Sequence, residues 1–201
     1  MELSPECALV LVDIQRDFLP GGARPVHRGD EVVAAANRMA AGFHAEELLV
    51  VLTRCWLPAD HTHFEGQGGN LPPYCVQDTH GAEYADDLQV PDGAMVVSKG
   101  TSRDADPTSP FAGTDLAERF RAAGVKLLLV CGLATDAAVR QTVLDAIEAE
   151  FEVVVVADAC RGFNKHVADS ARAVEDMLRK GARIASSGAV QNALEAYAAT
   201  H

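Results

Sequence analysis

The stretch that most constrains this chain is Val125–Thr142, VKLLLVCGLATDAAVRQT. Lys126–Cys131 is a continuous apolar run of the kind that forms a strand buried on both faces. Gly132 ends it, and Thr135 and Asp136 offer N-cap side chains before a helical pattern running from Ala137 to Glu150. A buried strand that turns sharply into a helix aims several backbone N–H groups at one spot, which suits an anion or a developing oxyanion. Such an elbow usually carries a nucleophile on the first turn of its helix. Here that turn reads Ala137-Ala138. The frame is present and the reagent is absent.

The remainder of the chain repeats the alternation. Cys7–Ile14, Leu48–Thr53, Met95–Ser98, Glu152–Ala157 and Ala182–Ser186 read as further strands. Asp30–Ala45, Asp115–Ala123, Asp169–Lys180 and Val190–Ala199 read as helices. Strands buried on both faces require helices above and below. The expected fold is therefore α/β, a three-layer doubly wound sandwich with a mainly parallel sheet, formed as a single domain over residues 1–201. In such sheets ligands bind beyond the carboxyl ends of the strands. Asp13, Arg54, Cys55, Lys99 and Gly132–Ala138 all fall at such ends, so they are expected to converge on one cleft. Asp13 and Lys99 would form a buried acid–cation pair there, an arrangement that is costly unless it has good geometry or a use.

Composition narrows the partners. Net charge is −12, which argues against nucleic acid or an anionic membrane surface. No apolar run approaches the length of a membrane span, and the start MELSPECALVLVDIQ lacks a basic region and cleavage site. A cytoplasmic protein with a small-molecule substrate or ligand is expected. Cys7, Cys55, Cys75, Cys131 and Cys160 are scattered and odd in number, which favours reduced thiols over a disulfide framework. The segment Arg54–Gly93 is long, His- and Gly-rich and weakly periodic, as functional loops are. Within it Cys55, His61 and His63 are weak candidates for a metal, but their spacing matches no metal signature. No metal or other cofactor is expected.

Five motifs, VDIQRDF (12–18), LPPYCVQDTHGAE (71–83), KGT (99–101), GLATDAAVRQT (132–142) and DACRG (158–162), resemble the isochorismatase-like cysteine hydrolases, nearest the nicotinamidase (pyrazinamidase) branch. The resemblance implies the isochorismatase-like hydrolase fold and an Asp-Lys-Cys triad. Asp13 would stand for the general base, Lys99 for the cation beside it, and Ala138 occupies the nucleophile position that is Cys in the family. It further implies a non-proline cis peptide at Leu133-Ala134, an oxyanion hole from the N–H groups of Ala134 and Ala138, and a substrate pocket including Phe18, Leu71, Tyr74 and Leu133. A dimer or larger homo-oligomer is also implied. The departures extend beyond Ala138. Of the family's metal-holding positions, the Asp reads Cys55, a His reads Leu57 and another His reads Tyr74, leaving His61, while the ring-stacking Trp reads Leu71.

Three functions follow. The first is hydrolysis of a small carbonyl, amide or enol-ether compound by Asp13 and Lys99 without a covalent intermediate. The second is a nicotinamide-hydrolysing amidase inactivated by an engineered Cys-to-Ala change at 138. The third is a natural pseudoenzyme that binds a small cyclic ligand.

Overall fold

A computed structural model describes residues 1–200. Six strands form one all-parallel sheet in the order β3-β2-β1-β4-β5-β6. They are β1 (Cys7–Val12), β2 (Leu49–Cys55), β3 (Met95–Lys99), β4 (Leu127–Leu133), β5 (Glu152–Arg161) and β6 (Arg183–Ala185). The helices are α1 (Val32–Ala45), α2 (Leu116–Ala122), α3 (Arg140–Glu148), α4 (Asp169–Arg179) and α5 (Ser187–Ala198). The α1 and α5 helices pack on each other and on the sheet, while α3 packs against α4 and β5. The expected doubly wound α/β architecture is what the chain adopts.

Every residue of β1 is buried, and so are six of the seven in β4. Burial of apolar strands between helical layers contributes roughly 25 cal/mol for each Å² removed from water. That makes the centre of the sheet its most firmly held part. The order reverses between β1, which leads outward to β2 and β3, and β4, which leads to β5 and β6. A reversal of this kind opens a crevice at the carboxyl ends of the two central strands. Val12 pairs in register with Gly132, so Asp13 and the elbow face each other across that crevice.

Two expectations need correction. The strand before the elbow continues to Leu133, two residues beyond the apolar run, because the sheet pairing with β5 persists to Arg161. Nor does a side-chain cap start the helix after it. Thr135–Val139 forms a π-helical turn with Ala137 at φ −137° and ψ −105°, and Ala134 provides its cap without a side-chain bond. Asp136 points instead to the loop after β5, where it accepts the N–H groups of Phe163 at 2.8 Å and Asn164 at 2.7 Å.

Candidate active site

Asp13 directly follows β1 and lies in the left-handed region at φ 48°, which turns its carboxylate inward from the strand end. Three neighbours secure it. Thr53 Oγ1 donates to Oδ1 at 2.7 Å, Lys99 Nζ donates to Oδ2 at 2.5 Å, and the Cys55 thiol lies 3.5 Å from Oδ2. Lys99 is fully buried and also donates to the carbonyl of Pro107 at 2.5 Å. Burial works against the charge on Lys99, but the adjacent Asp13 carboxylate, with Cys55 adding to it, carries its pKa above the ordinary lysine range. Both members of the pair are supplied with hydrogen-bond partners. That is the condition under which buried ions are tolerated.

Gln15 holds this arrangement together and was not foreseen. Its buried amide donates to the carbonyls of Cys55 and Ala82, both at 2.8 Å, and accepts Cys55 N–H at 2.8 Å. It thereby fixes the end of β2 against the segment after β1. The signal was a polar residue placed straight after an apolar strand, inside the VDIQRDF motif. Asp17 plays a similar part, accepting Cys75 N–H at 2.6 Å and so anchoring the long loop.

Across the crevice the Leu133–Ala134 peptide is cis. Gly132 sits at φ +121°, where a Cβ would come within 2.2 Å of the Val12 carbonyl. Only glycine lets the two central strands approach so closely at this point. Asp13, Ala134, Ala138, Phe18, Leu71, Tyr74 and Leu133 all border a single cavity of about 100 Å³, joined there by Cys55, Arg24, His63, Phe163 and others. Lys99 stands one layer behind Asp13. Every residue proposed for catalysis or for the pocket is therefore either on this cavity or in contact with a residue that is. Arg24 and Phe163 were missed, since they come from irregular segments that carry no periodicity, and His63 entered only as a weak metal candidate.

The match to known proteins is now direct. Residues 7–188 match the model of the isochorismatase domain. The chain belongs to the isochorismatase family. It is 35% identical to the nicotinamidase of Escherichia coli over 201 aligned residues, covering 90% of this chain and 94% of that one. A crystal structure of the pyrazinamidase of Pyrococcus horikoshii in complex with zinc superimposes with a TM-score of 0.86 at 43% identity, covering 90% of this chain and 99% of that chain. A nicotinamidase-pyrazinamidase from Acinetobacter baumanii gives a TM-score of 0.87 at 28% identity, covering 94% and 100%. This chain is accordingly an isochorismatase-family hydrolase.

The positions that the resemblance assigns to a metal do not suit one in this chain. Leu57 is a buried hydrocarbon, and the Tyr74 ring packs against Phe18 and Phe64. Both nitrogens of His61 are engaged, Nε2 with the Ala105 carbonyl at 2.9 Å and Nδ1 with His63 N–H at 3.2 Å. Cys55 lies on Asp13 and Lys99 rather than with His61. Among the described residues no group of three or more His, Cys, Asp or Glu is placed to hold a metal ion. Three of the other cysteines are poor nucleophiles, because burial pushes the thiols of Cys75 and Cys131 well up and that of Cys160 to about 12.

Proposed function

We propose that this chain hydrolyses a small amide or related carbonyl compound, with the Asp13 carboxylate acting as general base on water. The observation that carries this reading is the paired, fully buried Asp13–Lys99 dyad directed at the cavity. Asp13 receives hydrogen bonds on both oxygens, from Thr53 and from the Lys99 ammonium. Donors of this kind favour the ionised carboxyl group over the acid. A carboxylate takes protons, so amide or carbonyl hydrolysis is favoured over enol-ether cleavage, which needs an acid.

The step balances simply. Asp13 takes a proton from water, and the water oxygen bonds to the carbonyl carbon. The oxyanion forms beside the N–H groups of Ala134 and Ala138. The proton then passes from Asp13 to the leaving nitrogen as the carbon–nitrogen bond breaks, releasing a carboxylic acid and ammonia or an amine. Lys99 keeps the carboxylate in place and compensates its charge. Ala138 supplies no nucleophile and leaves room at the elbow for the water. A homo-oligomer in the cytoplasm with a small-molecule substrate is the proposed setting; among the described residues no helix is long and apolar enough to cross a membrane.

The test is ammonia release from a panel of small amides, nicotinamide included, by this chain and by its Asp13→Asn variant. Turnover by the parent that falls by about 10²- to 10⁴-fold in the variant supports the reading. Equal rates for the two proteins, or no turnover of any panel member by the parent, would overturn it.

A further inference from the structure

The cavity is bordered by one charged side chain that has no ion-pair partner among the described residues. Asp13 is neutralised by Lys99. Arg24 also borders the cavity, and among the described residues its guanidinium has neither an acid partner nor a hydrogen-bond acceptor. The guanidinium carbon lies 4.4 Å from the Phe163 ring centroid and 5.0 Å from that of Tyr74, so two aromatic faces hold it at the cavity wall. Phe163 is itself tethered by the Asp136 carboxylate.

A second orphan shares the same wall. His63 borders the cavity, and its Nδ1 is buried without a hydrogen-bond partner. Buried polar atoms without partners are uncommon, and one on a residue that lines a cavity beside an unpaired cation calls for an explanation. A guanidinium offers donors in a planar fork that matches a carboxylate.

We propose that Arg24 is a specificity-determining residue and that this site takes small amides bearing a carboxylate, or a like planar anion, which Arg24 binds with His63 alongside. The proposal rests on the hydrolase reading for the word amide, while the preference for an anion stands on Arg24 and His63. It also accounts for Leu71, since a pocket that grips an anion does not need a broad ring-stacking wall.

The experiment uses succinamate and its neutral methyl ester as matched probes. Turnover and, by calorimetry, binding are measured for the parent, for Arg24→Lys, and for Arg24→Met, which keeps an apolar stem over the two rings. The Asp13→Asn variant serves for binding alone. The parent is expected to favour succinamate over the ester by about 10- to 100-fold, the worth of one charge-assisted contact. In Arg24→Met that ratio should collapse toward one through KM rather than kcat, and Arg24→Lys should restore part of it. Equal handling of the two probes by the parent, binding of neither, or a ratio that Arg24→Met leaves intact would overturn the proposal. Discrimination in binding without any turnover would leave the proposal standing and sink the hydrolase reading. Turnover of neutral amides with no preference for charge would do the reverse.

Discussion

The two sides of the crevice have been treated differently. On the side formed by the ends of β1, β2 and β3, side chains are dense and interlocked. Asp13 touches Thr53, Cys55 and Lys99, Cys55 also touches Lys99, and Gln15 braces the end of β2 through the Cys55 backbone. On the side formed by β4 and the π-helical turn the contributions come from backbone. Gly132 permits close strand approach, the Leu133–Ala134 bond is cis, and the side chains at 137 and 138 are methyl groups. The charged side spends stability to hold ions out of water, whereas the backbone side holds a shape that survives a change of side chain. The two should therefore answer mutation differently, the first in stability as well as activity and the second in activity alone.

The largest expected effect is on the charged side. Lys99→Met leaves the Asp13 carboxylate buried without its cation and should cost about 3–5 kcal/mol in denaturant unfolding. Replacing both residues, Asp13→Leu with Lys99→Met, should recover most of that loss, because the penalty belongs to the orphaned charge. A double variant no more stable than the single one would show that packing, not charge, sets the cost.

The backbone side gives the next largest effect, and it is a gain. Ala138→Cys adds one sulfur atom at a residue that is 8% exposed and borders the cavity. Stability should move by less than about 1.5 kcal/mol, as for other small changes of core volume. Amide turnover should rise by at least roughly 100-fold, since covalent nucleophiles of this type carry rate factors of that order or larger. A variant that folds normally but gains nothing would mean that the elbow no longer aims its donors at a carbonyl.

A smaller effect links the two sides. Asp136→Asn weakens the acceptor for two backbone N–H groups, one of them on Phe163, and should cost about 1–2 kcal/mol. Phe163 also supports Arg24, so the same variant should raise KM more than it lowers kcat. An unchanged KM would separate the loop from the pocket.

How much of this could be read from the sequence depended on what held each residue. Asp13 follows the fully buried β1 and Lys99 ends β3 of the same parallel sheet, and topology alone brings such ends together. The elbow was visible because a glycine interrupts an apolar run. The course of the loop containing Tyr74 and His63 was legible only as irregular, and Tyr74 was placed in the pocket by the resemblance alone, since single tertiary bonds set that course, such as Asp17 to Cys75 and Gln77 to the carbonyls of Trp56 and Thr101. The role expected of Asp136 failed for a related reason. A carboxylate can cap its own helix or the loop opposite, and the choice lies in the return path of β5. Arg24 lies in a Gly- and Pro-rich turn, where nothing in the local pattern reveals that two aromatic rings close over it.

Cys55 gives the smallest expected effect and the sharpest test of the comparison. It is the one cysteine on the cavity, it lies 3.5 Å from both Asp13 Oδ2 and Lys99 Nζ, and its thiol is also 3.5 Å from the Pro107 carbonyl. If water is the nucleophile, this thiol is packing and a weak donor. Cys55→Ser should then change kcat by less than about 10-fold, since the hydroxyl can still donate to Asp13. A serine there donates as well but attacks an amide carbonyl far less readily than a thiolate. A loss in Cys55→Ser as deep as that in Asp13→Asn, together with trapping of an acyl group on Cys55 by mass spectrometry, would overturn water as the nucleophile. It would show that the reagent missing from position 138 had moved across the crevice to the end of β2, making the charged side both base and nucleophile and leaving the elbow only the oxyanion.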